Sequence, residues 1–270
     1  MRFTILGGSG FIGSSLTNYL RKSGEDCFVP GRDDRSVFEQ ELGHVIYCVG
    51  LTSDFRRRPF DTVRAHVGFL ADILEKSNFE SLLFLSSTRV YWRAQNTDED
   101  APLVVDPSEP DDLYNLSKIT GESLCRASGR RNVRIARLSN VIGGGARSDD
   151  FLPSLIEDAV VRGRIMLQTS LNSAKDYVAI SDVVRLLPQI ASAGANRLYN
   201  VASGTNLTNH DLVEVLSRIC GCHFLVAENA PEIRFPQIQI RRIREEFGFN
   251  ATDALQLVEK LVRGRTLRSG

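Results

Sequence analysis

The sequence predicts an α/β fold, built as a doubly wound parallel sheet with a smaller C-terminal lobe. Strand-like and helical patterns alternate through the first half of the 270 residues, as in parallel sheets whose strands are joined by helices. A glycine-rich turn, Gly7 to Gly13, joins the first strand to the first helix. The length suits one main domain with a small partner. We expect the main domain at 1–146, with 171–205 partly returning to it, and the lobe at 147–270.

The composition argues against partners that depend on a strong overall charge. Basic and acidic residues number 33 each, so the formal net charge is zero, and neither nucleic acid nor an anionic membrane is an expected partner. The run Arg56 to Arg58 is interpreted as a solvated loop, with binding of a substrate phosphate as the alternative. Since no apolar run approaches membrane-spanning length and the N-terminus lacks a signal-like segment, we expect a cytoplasmic protein.

The five cysteines are expected to be reduced. Cys27 and Cys48 lie in apolar strand-like runs, which favours core thiols over a disulfide framework. Cys220, Cys222 and His223 are close in sequence, but no second ligand pair follows at structural-zinc spacing. No metal site is therefore predicted.

The first predicted strand, at 3–6, leads through the glycine turn into a helix with Leu16, Tyr19 and Leu20 on one face. The turn fits G-x-G-x-x-G, in which absent side chains let backbone N–H groups and a helix N-terminus meet a pyrophosphate. This context predicts a dinucleotide site at the turn. Tight strand-to-helix packing is the alternative.

The second predicted strand, at 26–29, ends just before Gly31 and Arg32. In dinucleotide-binding folds a carboxylate at this place binds the ribose 2′-hydroxyl, whereas an arginine pairs with a 2′-phosphate. Arg32 therefore favours NADP(H) as the cofactor, and the nearby Asp33 and Asp34 leave NAD(H) as the less favoured choice.

The next strand is predicted at 44–50, separated from Arg32 by only a short helical stretch around 37–42. A strand usual in this architecture is therefore expected to be missing. The helical pattern at 62–76 is expected to pack on the core, with a dimer interface as the alternative. The strand at 81–85 ends in three hydroxyl residues, Ser86 to Thr88, at the sheet edge where such folds bind ligands.

Tyr114 and Lys118 are predicted to share one face of a helix, because they are four residues apart. A free tyrosine has a pKa of about 10, too high for acid–base work at neutral pH. A neighbouring ammonium group favours the phenolate and lowers that pKa. A surface pair with no catalytic role is the alternative.

The second half of the chain has weaker alternation. The predicted elements are strands at 133–138, 176–180 and 198–202, helices at 151–161 and from 181, a helix ending near 219 that opens on a Thr208–Asp211 capping box, and a last helix at 252–262.

The motifs, taken in order, are Gly7-x-x-Gly10-x-x-Gly13, Ser86 to Tyr91, and Tyr114-x-x-x-Lys118. In this order they resemble the extended short-chain dehydrogenase/reductase family, the NAD(P)-dependent sugar epimerase/dehydratase group. Three later stretches, at 137–143, 175–178 and 198–204, are also similar to that group, so the resemblance covers most of residues 1–205. It implies a Rossmann domain for NADP(H) and a substrate-binding C-terminal lobe.

The resemblance implies roles for four side chains. Tyr114 would be the acid/base that exchanges a proton with the substrate, and Ser87 would hydrogen bond to the reacting oxygen. Lys118 would bind the nicotinamide ribose and lower the pKa of Tyr114. Asn140 would lie near the substrate.

It also implies a cofactor cradle and a dimer. Tyr114 and Lys118 are joined in the expected cofactor-binding set by Gly7, Gly10, Phe11, Ile12, Gly13, Arg32, Gly50 and Leu51. The implied homodimer would form through the helices at 62–76 and 113–127.

Departures from the family pattern narrow the reaction. Sugar-nucleotide 4,6-dehydratases have an Asp–Glu pair directly after the catalytic hydroxyl, where this chain has Thr88 and Arg89. The fucose-nucleotide epimerase-reductases have a cysteine there, which is also absent. His66 replaces the family's usual asparagine near the cofactor.

The phosphate-binding R-x-G-D stretch is missing near 229–233. Its role could pass to Arg234, Arg241 or Arg242. The sequence therefore predicts an NADP(H)-dependent reductase acting on a keto group of a nucleotide-activated sugar. A nucleotide-sugar 4-epimerase and a catalytically silent NADP(H)-binding sensor or scaffold are the alternatives.

Overall fold

A computed structural model describes residues 1–51, 54–146 and 150–269. Its main sheet has six parallel strands in the order β2-β1-β3-β4-β5-β9. These strands are β1 (Arg2–Leu6), β2 (Asp26–Phe28), β3 (His44–Tyr47), β4 (Ser81–Ser87), β5 (Val133–Leu138) and β9 (Leu198–Val201). The chain leaves β1 for β2 on one side and resumes at β3 on the other. A crevice therefore opens at the carboxyl ends of β1 and β3, and the predicted doubly wound fold is confirmed.

Helices cover both faces of this sheet. They are α1 (Phe11–Lys22), α2 (Pro59–Val63), α3 (Phe69–Lys76), α4 (Asp112–Ala127) and α6 (Ile180–Ala193). Their apolar faces bury Leu16 and Leu20 on one side of the sheet, and Leu70 and Leu74 on the other. Tyr19, predicted on the buried face of α1, is 37% exposed.

The connection from β2 to β3 is short, as expected. It contains a single 3-10 turn, Arg35–Phe38, and β2 is left as a three-residue edge strand. The Asp34 side chain accepts a hydrogen bond from the Ser36 N–H and so caps this turn.

The helix predicted at 62–76 begins at Pro59 and is interrupted by a π-helical turn, Arg64–Gly68, between α2 and α3. A π turn inserts one residue and so rotates the preceding helix, α2, relative to α3. Val63, at the end of α2, is therefore 39% exposed, although a regular helix over 62–76 would place it on the buried face. The turn places His66 inside the protein.

The C-terminal part adds two small sheets and an apolar cluster of its own. The sheets have the orders β10-β8-β6 and β11-β7. The strands are β6 (Asn140–Ile142), β7 (Arg164–Leu167), β8 (Ala174–Ala179), β10 (Asn206–Thr208) and β11 (His223–Val226). The helices are α5 (Phe151–Glu157), α7 (Asn209–Cys220), α8 (Arg241–Phe247) and α9 (Ala254–Ser269).

The capping box predicted at Thr208 and Asp211 is present at the start of α7. Within the ranges that the structure covers, no helix is both long and apolar enough to cross a membrane. The division into a domain and a lobe near residue 146 stays a prediction.

Candidate functional site

A cleft of about 430 Å³ lies at the carboxyl edge of the main sheet. One wall is the start of α1, the floor is formed by the ends of β3, β4 and β5, and the far wall comes from β6, β8 and the start of α5. Ligands bind at this place in open α/β sheets. The cleft brings together Gly10, Ser87, Tyr114, Lys118 and Asn140, which are far apart in sequence.

The glycine turn lets α1 begin directly against the sheet. Gly7 has φ +83°, and a Cβ there would lie 2.9 Å from the backbone of Cys48 and Val49. A Cβ on Gly13 would lie 2.4 Å from the Gly7 carbonyl oxygen, so any side chain would push the helix off the turn.

The helix start is left open towards the cleft. Gly10, the N-cap, offers no side chain to the first N–H groups, and Phe11, Ile12 and Gly13 line the cleft. Unpaired N–H groups at a helix N-terminus attract anions. The turn therefore fits the pyrophosphate of a dinucleotide.

The adenosine end of the predicted cofactor site is less enclosed. A Cβ on Gly8 would lie 2.2 Å from Cγ1 of Val29, so the residues after β2 follow the turn closely. Arg32 is exposed near this edge but does not line the cleft. Gly50 lines the cleft, whereas Leu51 lies beside the lining residues.

The three predicted catalytic side chains converge at the centre of the cleft. Ser87 ends β4, and Tyr114 and Lys118 lie on the face of α4 that covers this strand end. Tyr114 and Lys118 are almost completely buried. The Lys118 ammonium donates a hydrogen bond of 2.9 Å to the Leu85 carbonyl and lies 5.9 Å from the centre of the Tyr114 ring.

Burial dominates the electrostatics of this pair. It raises the pKa of Tyr114 above its usual value, while a hydrogen bond with Ser87 and the positive charge of Arg89 act in the opposite direction. Lys118 is not among the groups that lower the pKa of Tyr114, so the sequence-based expectation differs from the structure here. Burial instead lowers the pKa of Lys118 to about 7, against the opposing influence of Glu122 and Cys48. Tyr114 is consequently a protonated phenol, a proton donor.

His66 packs against α4, the helix that carries Tyr114 and Lys118. The Ser117 hydroxyl donates a hydrogen bond of 2.8 Å to the Tyr114 carbonyl, so His66 Nδ1, 2.8 Å from the same hydroxyl oxygen, is the donor to it. The other ring nitrogen, Nε2, is buried and has no hydrogen-bond partner among the described residues. A Cβ on Gly50 would lie 2.9 Å from that nitrogen. Burial first, and then the charge of Lys118, lowers the pKa of His66 to about 2, so the ring stays neutral.

A buried ion pair supports the floor of the cleft. Arg137 on β5 makes two hydrogen bonds to Glu122 on α4, of 2.9 and 2.6 Å, and both side chains are about 5% exposed or less. Ser86 donates to the same carboxylate at 2.6 Å, and Arg137 donates to the Tyr91 hydroxyl at 2.6 Å. This network fixes the strand end that carries Ser87. The sequence did not assign it a role, although Glu122 stands in the Gly121-Glu122 pair after Lys118.

Asn140 is the first residue of β6 and follows closely after the end of β5. Its side-chain amide donates a hydrogen bond of 2.8 Å to the Asp176 carbonyl, and the residue remains exposed in the cleft. This places it on the far wall, opposite the glycine turn.

The arginines proposed to replace the missing phosphate-binding stretch do not line the cleft. Arg242 is held by Glu99, Asp100 and the Leu198 carbonyl. Arg234 and Arg241 are well exposed, each about 3.9 Å from a carboxylate.

Among the described residues, the cationic side chains that line the cleft besides Lys118 are Arg89 and Lys175. Sequence reasoning had named Arg89 only as a departure from the dehydratase pattern. Lys175 had been quoted only as part of a motif, and neither had been assigned a ligand.

Two further sequence interpretations bear on other ligands. Arg56 forms two hydrogen bonds, of 2.5 and 2.6 Å, with Asp111, which favours the structural reading of the Arg56–Arg58 run. Among the described residues, no group of three or more His, Cys, Asp or Glu side chains is placed to hold a metal ion.

Comparisons with known proteins identify the family of the chain. A family model described as the NAD dependent epimerase/dehydratase family matches residues 3–202. Among curated proteins, a dTDP-glucose 4,6-dehydratase of Streptomyces griseus is 26% identical over 246 residues, which cover 86% of this chain and 72% of that protein.

Two solved structures illustrate the fold. MoeE5 in complex with UDP-glucose and NAD superposes with a TM-score of 0.84 at 20% identity, covering all of both chains. RMD from Pseudomonas aeruginosa, complexed with NADPH, has a TM-score of 0.81 at 21% identity, covering 99% of this chain and 100% of that one. At such identities these structures show the shared fold.

Proposed function

Because the chain belongs to the NAD dependent epimerase/dehydratase family, we propose that it reduces a keto group of a nucleotide-activated sugar, with NADPH as the cofactor. Membership of this family supports the general conclusion that the protein is an enzyme with a nicotinamide cofactor. The finer proposal, reduction, is carried by one observation: a buried, protonated Tyr114 lies beside Ser87 in the cleft.

Bound NADPH would supply the hydride for this reduction. Tyr114 would donate its phenolic proton to the substrate oxygen, and the Ser87 hydroxyl would hydrogen bond to that oxygen and orient it. Because burial raises the pKa of Tyr114, the phenol holds its proton at neutral pH until the carbonyl oxygen accepts negative charge. Lys118 would bind the nicotinamide ribose from the adjoining position on α4.

The cleft departs from the dehydratase pattern directly after Ser87. The two residues after Ser87 are Thr88 and Arg89, and neither side chain removes a proton from carbon at neutral pH. Two carboxylates, Asp150 and Asp176, also line the cleft, and that of Asp176 accepts hydrogen bonds from the backbone N–H groups of Ser203, Gly204 and Thr205. These facts favour reduction over dehydration, although dehydratases are among the relatives.

The deciding experiment measures NADPH oxidation with purified protein and a panel of 4-keto sugar nucleotides. Tyr114→Phe should lower turnover by roughly 10²–10⁴-fold, the usual contribution of a general acid, and should leave NADPH affinity within about twofold. Lys22→Met, an exposed change at the far end of α1, is the matched control. Full turnover in Tyr114→Phe would contradict the assignment.

A nucleotide-sugar 4-epimerase is the second candidate, because Tyr114 could also exchange protons with the substrate when a ketone forms transiently and is reduced again. Redox-neutral interconversion of two hydroxyl sugars, without net NADPH consumption, would favour it. A silent sensor would bind NADPH but turn over neither kind of substrate, and its biological output would survive Tyr114→Phe.

The preference for NADPH is proposed from Arg32, which is exposed and follows by three positions Val29, the residue that packs against Gly8 of the glycine turn. An arginine–phosphate contact contributes about 1.5–3 kcal/mol, so Arg32→Ala should weaken NADPH binding by roughly 10–150-fold and leave NADH binding unchanged. Comparable affinity of the unmodified protein for both cofactors would refute the preference.

We also propose a cytoplasmic homodimer in which residues 1–146 bind the cofactor and residues 147–270 bind the substrate. The predicted dimer helices include α4, which carries the catalytic pair. Light scattering on the purified protein would test the dimer, and a monomer at micromolar concentration would refute it.

A further inference from the structure

Besides Lys118, two cationic side chains of the described residues line the cleft that contains Tyr114, namely Arg89 and Lys175. Arg89 is the second residue of the 3-10 turn after β4 (Thr88–Tyr91), and its backbone N–H donates to the Ser87 hydroxyl oxygen at 3.2 Å. Its guanidinium carbon lies 5.8 Å from the centre of the Tyr114 ring and 5.3 Å from that of Phe55. Lys175 on β8 lines the opposite wall. The two cations therefore face one space, beside the group that reacts.

Neither cation is well neutralised by the protein. The carboxylate nearest to Arg89 is Asp111, at 3.8 Å, and this carboxylate already makes two shorter hydrogen bonds to Arg56. The Lys175 ammonium lies 4.7 Å from the centre of the Phe151 ring. In the part of the chain that the structure describes, no carboxylate is recorded within 4 Å of it.

Both cations are also partly removed from water and repel each other. Burial lowers the pKa of Arg89, and burial followed by the charge of Arg89 lowers that of Lys175. Placing two like charges in a cleft costs free energy unless an anion joins them. A bound anion would remove both the repulsion and the desolvation penalty, so the arrangement favours an anionic ligand at this point.

We propose that Arg89 and Lys175 bind a carboxylate carried on the sugar ring, which makes nucleotide-activated uronic acids the substrate class. The inference rests on the proposed function, since it assumes a sugar positioned against Tyr114. Arg89 selects the ring substituent over the diphosphate because its guanidinium lies 5.8 Å from the centre of the ring of Tyr114, the proposed proton donor. A planar guanidinium pairs with a carboxylate through two parallel hydrogen bonds.

The test compares three probes by calorimetry in the presence of saturating NADPH: UDP-glucuronic acid, UDP-glucose and UDP. The unmodified protein should bind UDP-glucuronic acid at least about tenfold more tightly than UDP-glucose. Arg89→Gln and Lys175→Met should each remove most of that difference, while their affinities for UDP-glucose and UDP stay within about twofold. Arg89→Lys keeps the positive charge but lacks the two parallel N–H donors of the guanidinium, so it should retain part of the preference for UDP-glucuronic acid.

Other outcomes separate the sources of the anion. If the variants weaken all three probes equally, the cations bind the diphosphate and the carboxylate assignment is wrong. If UDP-glucose binds as tightly as UDP-glucuronic acid, the inference fails while the proposed function stands. If none of the three binds, both fail. Lys22→Met and the melting temperature of each variant control for charge and folding.

Discussion

Replacing Gly50 by alanine tests how closely the cleft floor is packed against His66. The added Cβ would lie 2.9 Å from His66 Nε2, 3.3 Å from Cδ2 and 3.5 Å from the Lys118 nitrogen. The ring cannot move aside easily, because it is fully buried and its Nδ1 bonds to Ser117. Overpacking of this kind costs about 1–3 kcal/mol. For a protein of this size, each kcal/mol corresponds to roughly 2–4 °C in melting temperature.

A double-mutant cycle identifies the contact responsible. Gly50→Ala alone should lower the free energy of unfolding in urea by the amount above, whereas His66→Asn, a shorter side chain, should absorb the new methyl group. The double variant should therefore be more stable than the sum of the single changes predicts, with a coupling of about 0.5–3 kcal/mol.

Gly68→Ala is the matched control, since a Cβ there meets no atom within 4 Å and should cause no loss. Strict additivity of Gly50→Ala and His66→Asn, or an unaffected Gly50→Ala protein, would refute this view of the cleft floor.

Three further predictions concern the cofactor turn, the ion pair and the buried lysine. Gly13→Ala should weaken NADPH binding by about tenfold or more in a fluorescence titration. The new Cβ would meet the Gly7 carbonyl oxygen and displace backbone N–H groups, whose hydrogen bonds to charged ligands contribute about 1.5–3 kcal/mol each. An unchanged affinity would exclude the glycine turn as the pyrophosphate-binding site. Glu122→Gln should lower the urea unfolding free energy by about 3–5 kcal/mol, since it leaves a buried arginine unpaired; a loss below about 1 kcal/mol would contradict this. Lys118 has a pKa of about 7 in the folded protein and about 10.4 in the unfolded chain. Between these two pH values the unfolded chain holds more protons, so the free energy of unfolding should rise with pH. Lys118→Met should lack this rise, and an identical pH dependence of stability in both proteins would argue against the lowered pKa.

The main sheet could be predicted from the sequence because its strands are long apolar runs separated by helical periods. The missed elements, β6, β7, β10, β11 and α8, have between three and seven residues. Such segments are too short to establish a period, and β11 is exposed throughout. Their pairing depends on partners distant in sequence, such as β11 with β7.

The shared helix face of Tyr114 and Lys118, the proposed catalytic pair, could be predicted because i,i+4 spacing on a helix is a local property. The protonation state of Tyr114 could not be predicted, because its pKa is set mainly by burial and burial depends on the whole fold. Likewise, nothing local links Gly50 to His66, or Arg89 to Lys175. Each pair meets only when separate elements reach the same edge of the sheet.

The position of Arg89 connects the proposed substrate with the proposed direction of reaction. In the free protein its charge acts to lower the pKa of Tyr114, against the effect of burial. A carboxylate bound to Arg89 would cancel that charge and leave burial to dominate, so Tyr114 would hold its proton more firmly. A protonated phenol is the form that reduction of a ketone requires, whereas oxidation of an alcohol requires the phenolate. Binding of a uronic acid would therefore favour the proton donor, and an uncharged sugar would favour it less.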